Sequence, residues 1–389
     1  MKKTDVIITG LGVISAAGTG ISPTLDSFRR NERNAGPVSI FKTALSCPVF
    51  EVKQIPDEFI VEKNRTLSLA LYAVDAALKD AALGDIAGLR VGVCIGTTVA
   101  SQLNDLEFYK SYRDTGDAPM EVIERFLKNN VSEFIAWKFK ADGPVLTVVN
   151  ACSSGTDAIG VAFSWLKNNL CDVVIAGGAD ELNLIPLCGF SSLSIVNQDL
   201  CSPFDRDRKG LNLGEGAGIL IMETTDSAKA RGISSEIRVM GYGASADAYH
   251  LTAPRPDGAG LEASIHKALS EAGIKSSDVS FVNAHGTGTT DNDLVEGKVL
   301  GRIFGDDIKF LSTKGSTGHT LGAAGGLEAA FTAAGLREGW IPASIGFQNK
   351  DDAIPIIPVM EETKIDGRFA LSTSLAFGGN NAALLFGRL

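Results

Sequence analysis

The chain has 389 residues, of which 44% are hydrophobic and 21% are charged, and it carries a formal net charge of −10. This composition is typical of a globular protein with a large core, and the length allows two or three domains or one large α/β unit built from two halves. The negative charge argues against broad nucleic-acid binding, which requires a basic surface.

The six cysteines form no C-x-x-C pair and no metal-ligand spacing with histidine. No run of about 18 apolar residues predicts a membrane span, and the glycine-interrupted start does not resemble a signal peptide. These features together predict a reduced, cytoplasmic enzyme.

Apolar runs alternate with stretches of helical periodicity along the chain. The runs predict strands at 6–15, 90–96, 145–149, 172–180, 219–222, 279–284, 309–313 and 369–374. The periodic stretches predict helices at 61–83, 103–112, 120–138, 159–170, 260–269 and 322–336, and a further helix that carries Glu296. Strands alternating with helices predict a layered α/β fold.

Cys152 lies where the strand that ends at Val149, which we expect to be buried, turns into a helix. Ser153, Ser154 and Asp157 are residue types expected at a helix start. Because free amides and the helix dipole favour a negative charge there, the thiol is expected to ionise more easily than a free one. On these residues alone, a buried structural cysteine is the alternative.

Four further polar or aromatic residues follow predicted strands: His285, Lys314, His319 and Phe377. Loops at the carboxyl ends of strands are where α/β folds place their sites. A metal site formed by Cys152 and the two histidines is less favoured, since no carboxylate or second thiol lies at metal spacing. A nucleophile assisted by two imidazoles is the better interpretation.

Short motifs follow one another in a specific order over nearly the whole chain. They are ITGLG at 8–12, ACSSG at 151–155, AGGA at 176–179, PFD at 203–205, GEGAG at 214–218, SADAYH at 245–250, AHGT at 284–287, STK at 312–314, TGH at 317–319, GAAG at 322–325 and FGG at 377–379. In this order and spacing the chain resembles the elongating (type I/II) β-ketoacyl-acyl-carrier-protein synthases, condensing enzymes of the thiolase superfamily.

The resemblance implies a thiolase-like fold, with two similar α/β halves in a layered α-β-α-β-α arrangement. Residues 1–235 would form the half that carries Cys152, and residues 236–389 the half that carries His285, Lys314 and His319. It also implies a homodimer, or a heterodimer with a ketosynthase-like subunit.

By resemblance, Cys152 takes the acyl group from an acyl carrier protein. Malonyl-carrier then loses CO₂, and its carbanion attacks the acyl-cysteine to give a 3-oxoacyl thioester two carbons longer. His285 and His319 would stabilise the enolate oxygen as it develops. The backbone amides of Cys152 and Phe377 would bind the oxyanion at the acyl carbon, since Gly378 and Gly379 let that loop approach closely.

The remaining implied roles are supporting ones. Lys314, paired with Glu296, would orient the site electrostatically, with Asp293 as a second supporting carboxylate. Thr287 and Thr289 match positions that bind the phosphopantetheine arm of the carrier. The resemblance implies no metal and no cofactor beyond that arm.

The chain departs from the family pattern in three places, which are LAFGG at 375–379 in place of FGFGG, the poorly matching segment 101–140, and Ser194 in place of a carrier-docking arginine. Docking is therefore expected to use Lys63, Arg65, Arg206 and Lys209. Two other functions stay open: a non-catalytic chain-length-factor-like subunit, and a cysteine hydrolase of acyl thioesters.

Overall fold

The computed structural model describes residues 5–84, 86, 88–103, 105–128 and 130–389. The basic start at 1–4 and residue 129 of the expected helix 120–138 lie outside this part. The strands are β1 (Val6–Ser15), β2 (Gly18–Thr19), β3 (Val91–Gly96), β4 (Val145–Val148), β5 (Val173–Asp180), β6 (Gly216–Thr224), β7 (Ile237–Ala246), β8 (Val279–Asn283), β9 (Lys309–Leu311), β10 (Trp340–Ile341), β11 (Thr363–Lys364), β12 (Phe369–Ala376) and β13 (Asn380–Arg388).

The α-helices are α1 (Ile21–Arg29), α2 (Arg65–Asp80), α3 (Leu106–Thr115), α4 (Met120–Lys128), α5 (Val131–Phe139), α6 (Ser154–Lys167), α7 (Leu184–Ser192), α8 (Thr225–Ala230), α9 (Ala259–Ala272), α10 (Thr290–Phe304), α11 (Lys314–Thr317) and α12 (Ala324–Glu338). Short 3₁₀ turns cover Asp57–Phe59, Val99–Ser101, Ser276–Asp278 and Leu321–Ala323. Among the described residues, no helix is long and apolar enough to cross a membrane.

The strand order repeats. In the sheet, the five long strands of the first half lie in the order β4-β3-β5-β6-β1, and those of the second half lie in the order β9-β8-β12-β13-β7. If the strands of each half are counted along the chain, both orders read third, second, fourth, fifth, first. In both halves the pairs within the first three strands of this order are parallel, and the remaining pairs are antiparallel. The two similar α/β halves are thereby confirmed.

Helices α6 and α12 form the middle layer. α6 packs on β3 and β5 from one side and on β7 and β13 from the other, and α12 similarly contacts β5, β6, β12 and β13. Small residues allow both helices to lie this close to each other and to the strands: a Cβ on Gly155 would come within 2.7 Å of the Gly326 nitrogen, and a Cβ on Gly326 within 2.4 Å of the Gly218 oxygen. Helix α2 covers β1 and β6 on the outside, and α9 covers β7 and β13, which completes the layers.

Most expected elements are present with ends shifted by a few residues, but the environment of β4 was predicted wrongly. β4 is the edge strand of the sheet, and the exposed fractions of Val145, Leu146 and Val149 are 38%, 43% and 54%. Periodicity could not distinguish this strand from a buried one, because a continuous apolar run is the same in both and does not show what covers it. Helix α7 lies in a region that we expected to be loop-rich, and strands β7 and β13 were not predicted.

Candidate active site

Cys152 lies between the end of β4 and the first turn of α6, as predicted. The preceding residue, Ala151, has a φ of 48°, a left-handed conformation that costs a non-glycine residue about 1–2 kcal/mol. Its carbonyl is held by the hydroxyls of Ser154, at 2.6 Å, and Thr98, at 3.1 Å. The strained turn presents the Cys152 thiol at the start of the helix.

The expectation that the Cys152 thiol ionises easily is wrong for the resting enzyme. Burial raises its pKa to about 12, although the charge of Lys314 and a hydrogen bond from the Phe377 amide act in the opposite direction. Desolvation of a fully enclosed sulfur outweighs these two effects. The thiol is therefore neutral at rest.

The two predicted histidines face each other. The ring centroids of His285 and His319 lie 5.3 Å apart with an interplanar angle of 85°, and both side chains are buried. His319 Nδ1 accepts a hydrogen bond from the Leu321 amide at 3.1 Å, and His285 Nδ1 lies 3.2 Å from the Lys314 ammonium, which can only donate. Each ring therefore carries its proton on Nε2.

Both imidazoles are neutral. Burial and the nearby positive charge of Lys314 hold the pKa of each ring well below 6.5. A neutral ring with an occupied Nδ1 has one remaining polar atom, the Nε2–H group, which is a hydrogen-bond donor. The pair therefore supplies two neutral donors within one buried site.

This protonation state can be measured by NMR on protein with ¹⁵N-labelled imidazole rings. Because the pKa of each ring is lowered, neither ring should take up a proton when the pH falls from 8 to 6. We expect two ring signals to retain the neutral Nε2–H pattern over this range, assigned by their loss in His285→Ala and His319→Ala. Titration of either ring near pH 6.5 would contradict the arrangement.

The partner of Lys314 differs from the predicted one. Its ammonium forms a buried ion pair with Glu328 on α12 and donates to the His285 carbonyl at 2.5 Å. Burial raises the pKa of Glu328 to about 7 against the opposing effect of Lys314. Glu328 was missed by sequence analysis, although it is the one charged residue in the small and apolar stretch 324–336, and that isolation was a usable signal.

Glu296 supports His285 in another way. Its carboxylate accepts from the backbone amides of His285 and Gly286 and from the Thr373 hydroxyl, each at 2.8 Å. It therefore fixes the turn that follows β8 instead of pairing with Lys314. The prediction that Glu296 and Lys314 form an ion pair is wrong, because the ammonium of Lys314 binds the carboxylate of Glu328, 14 residues further along the chain.

Asp293 lies in the first turn of α10, and Thr287 and Thr289 directly precede this helix. The buried Asp293 carboxylate accepts from the amides of Phe204 at 2.6 Å and Thr287 at 3.0 Å. The hydroxyls of Thr287 and Thr289 lie 2.8 Å apart, and both side chains line the cavity that also contains Cys152. Asp293 thus holds the backbone of the turn, while the threonines present hydroxyls to the cavity.

Phe377 closes the cavity from the opposite side. Its ring stacks on Phe190 of α7 with ring centroids 5.4 Å apart. The Phe190 and His319 rings in turn form an edge-on pair with centroids 6.3 Å apart. Gly378 and Gly379 follow with φ of 86° and 78°, values that favour glycine. Phe190 was missed by sequence analysis because helix α7 was not predicted.

One cavity of about 280 Å³ joins these groups. It is lined by the thiol, both imidazoles, the two threonines and the Phe377 ring, whereas Lys314, Glu296 and Asp293 lie behind that lining. Of the four expected docking residues, Lys209 lines the cavity as well. No group of three or more potential metal-binding side chains occurs within the described ranges.

Arg65 is unsuited to its expected docking role. Its guanidinium forms a bidentate pair with the buried Glu215, at 2.6 and 2.8 Å, and donates to the Val52 carbonyl at 2.8 Å. These bonds fix the side chain inside the protein. Arg206 and Lys209 are largely exposed, and each lies beside a single surface aspartate.

Comparisons with known proteins identify the family of the chain. The N-terminal domain of the β-ketoacyl synthase family matches residues 51–228, and its C-terminal domain matches residues 237–348. The 3-oxoacyl-[acyl-carrier-protein] synthase 2 of Staphylococcus aureus strain N315 is 34% identical, over 98% of this chain and 97% of that protein.

Solved structures are similar over the full length of both chains. The ishigamide ketosynthase/chain length factor is 30% identical with a TM-score of 0.92. A type II polyketide ketosynthase, solved in complex with its acyl-carrier protein and bound to the hexaketide, is 25% identical with a TM-score of 0.90.

The chain belongs to the β-ketoacyl synthase family. It is accordingly a condensing enzyme of the 3-oxoacyl-acyl-carrier-protein synthase type, with a thiolase-like fold. It elongates an acyl chain by decarboxylative condensation with a malonyl thioester.

Proposed function

We propose that Cys152, His285, His319 and Lys314 carry out this condensation. The observation that supports the assignment is the pair of neutral Nε2–H donors in the same cavity as the thiol. A hydrolase needs one imidazole as a base, so it leaves the second donor without a role.

In the first half-reaction, the Cys152 sulfur attacks the acyl thioester carbon. The C–S bond to the carrier breaks, and the proton of the thiol leaves with the carrier sulfur. The amides of Cys152 and Phe377 stabilise the oxyanion of the tetrahedral intermediate. This role is supported by the hydrogen bond from the Phe377 amide to the sulfur.

In the second half-reaction, malonyl-carrier loses CO₂, and the electron pair of the broken bond forms an enolate on the thioester. Its oxygen accepts hydrogen bonds from His285 Nε2–H and His319 Nε2–H. The enolate carbon then attacks the acyl-cysteine carbonyl, which forms the C–C bond and releases the Cys152 thiolate. The thiolate takes up one proton from solvent, which regenerates the neutral thiol. Lys314 keeps His285 neutral and correctly oriented throughout, while Thr287 and Thr289 bind the pantetheine arm.

The product of the purified enzyme tests this function. With acyl-carrier and malonyl-carrier as substrates, mass spectrometry should detect a 3-oxoacyl-carrier two carbons longer and one CO₂ per turnover. Release of free fatty acid without malonyl consumption would instead support a cysteine hydrolase. Absence of selective iodoacetamide labelling at Cys152 would support a non-catalytic, chain-length-factor-like subunit.

We also propose that the chain forms a homodimer, or a heterodimer with a ketosynthase-like subunit, through the β4 edge. The exposed apolar side chains of β4 continue onto Trp137 of α5, which is 74% exposed. An edge strand with this composition would otherwise promote aggregation.

The interface can be tested by charge insertion. Trp137→Glu combined with Leu146→Lys places charges at this edge, and the dimer dissociation constant should rise at least 100-fold in sedimentation velocity experiments. Met360→Glu changes a residue that is 62% exposed, between the values for Leu146 and Trp137, and that lies far from β4 in the chain. It should leave association unchanged. A dimer that survives the double substitution would exclude this interface.

Three further assignments complete the proposal. Residues 1–235 and 236–389 form the two halves, in line with the repeated strand order. Carrier docking uses Lys63, Arg206 and Lys209, since Arg65 is fixed internally. The enzyme is cytoplasmic, a location favoured by its free cysteines.

A further inference from the structure

Asp157 is a buried carboxylate five residues after Cys152, and it binds both sides of the nucleophile turn. Its Oδ2 accepts hydrogen bonds from the Asn150 side-chain amide at 2.6 Å and from the Ser153 hydroxyl at 2.8 Å. Its Oδ1 accepts from the Tyr242 hydroxyl at 2.7 Å. The Asp157 side chain therefore links Asn150, two positions before Cys152, with Ser153, directly after it.

These bonds enclose the strained part of the turn. Ala151, with its φ of 48°, lies between the two residues that bind the carboxylate through Oδ2. A left-handed alanine persists only where the surrounding structure holds it in place. An ionised carboxylate only accepts hydrogen bonds, and the Asn150 amide and the Ser153 and Tyr242 hydroxyls can each donate to it, although the Ser153 hydroxyl also lies 2.9 Å from the Asn150 carbonyl.

Tyr242 connects this turn to the second half of the molecule. It belongs to β7, and its ring lies against α6 where Gly160 has no side chain; a Cβ there would be 2.5 Å from the ring. That close approach brings the Tyr242 hydroxyl to Asp157. The position of the Cys152 sulfur is thereby fixed relative to the half that carries both histidines.

The imidazoles are held by other groups. Glu296 and Lys314 orient His285, and the Leu321 amide orients His319. The described partners of the Asp157 carboxylate are Asn150, Ser153 and Tyr242, and none of these orients an imidazole. A change at Asp157 should therefore disturb the sulfur without disturbing the two Nε2–H donors.

We propose that Asp157 is a positioning residue for the nucleophile, which fixes the Cys152 sulfur at the Phe377 amide and sets the rate of acyl transfer onto Cys152. It leaves malonyl decarboxylation, which depends on the histidines, unaffected. This inference rests on the proposed function of Cys152. It extends that function by separating the residues that serve the two half-reactions.

The test compares the two half-reactions in Asp157→Asn, in which one of the two accepting carboxylate oxygens becomes an NH₂ group that cannot accept the hydrogen bonds made to it. Acyl-adduct formation on Cys152, followed by rapid quench and intact mass, should slow by about tenfold to 100-fold, the scale expected from a displacement near 1 Å. Decarboxylation of malonyl-carrier, followed by CO₂ release, should stay within about twofold. Equal loss of both rates, or no loss of either, would overturn the proposal.

Two further variants keep the test decisive if Asp157→Asn folds poorly. Tyr242→Phe removes one of the three donors and should slow acylation alone, by a smaller factor. Asp172→Asn is the matched control, since this partly exposed carboxylate binds Arg90 at the surface just beyond α6, and both rates should be unchanged. If Tyr242→Phe slows the two half-reactions equally, Asp157 has only a structural role.

The rate of Cys152 alkylation by iodoacetamide at pH 8 gives a readout that does not depend on the enzyme reaction. It should fall in Asp157→Asn, because the sulfur moves away from the Phe377 amide. A wild-type enzyme that forms no acyl adduct would refute the proposed function, while the alkylation rates of the same two proteins would still decide the role of Asp157. Unchanged alkylation would overturn that role.

Discussion

Cys152→Ala should lose condensation activity by a factor on the order of 10⁴ or more, the scale seen when a covalent nucleophile is removed from an enzyme. No other described side chain in the turn can replace the thiol, because the Ser153 and Ser154 hydroxyls are bound to neighbouring groups. Intact-mass analysis should show no acyl adduct. An adduct that survives this substitution would place the nucleophile elsewhere.

The matched variants for this prediction are His285→Ala and His319→Ala. Each removes one of two neutral donors to the enolate, and decarboxylation should fall about 10²- to 10³-fold, the usual effect of losing one oxyanion-hole donor. Both should still form the acyl adduct, whereas Cys152→Ala should still decarboxylate malonyl-carrier. This opposite pattern assigns the thiol and the imidazoles to different steps; equal loss of both steps in all three variants would contradict it.

Glu328→Ala should destabilise the protein by about 3–5 kcal/mol, because it leaves the ammonium of Lys314 buried without its partner. The free energy of unfolding from urea denaturation measures this effect. The double variant Lys314→Met with Glu328→Leu should be within about 1 kcal/mol of wild type, since an apolar pair replaces the ion pair. It should nevertheless lose activity, because nothing then donates to His285 Nδ1.

Lys314→Met alone adds a pH dependence to this test. The Glu328 carboxyl, whose pKa burial already raises to about 7 beside Lys314, then loses the positive charge that opposed this rise. A carboxyl with a raised pKa in the folded state binds more protons folded than unfolded, so stability falls as pH rises. The variant should be more stable at pH 5 than at pH 8, and a flat profile would mean that Glu328 finds another partner.

Sequence patterns predicted the features that depend on local order. Apolar runs followed by polar or glycine-rich turns placed Cys152, His285, Lys314, His319 and Phe377 just after strand ends. These residues follow strand ends, and parallel strands bring their carboxyl ends to one edge of a sheet. The order of short motifs then identified the thiolase-like fold.

The features that sequence analysis missed depend on contacts between distant segments. Glu328 reaches Lys314 only because α12 runs through the middle layer, and Phe190 contacts His319 only because an unexpected helix follows β5. The raised pKa of Cys152 arises from enclosure by both halves. The spacing of residues along the chain does not show which side chains such packing shields from solvent.

Phe377 contributes both to the wall of the cavity and to the surroundings of the Cys152 sulfur. The same residue stacks its ring on Phe190 and directs its amide at the Cys152 sulfur. A movement of this residue large enough to unstack the ring and widen the cavity also withdraws the amide from the sulfur. Access to the cavity and the hydrogen bonding of the sulfur therefore depend on the placement of one residue.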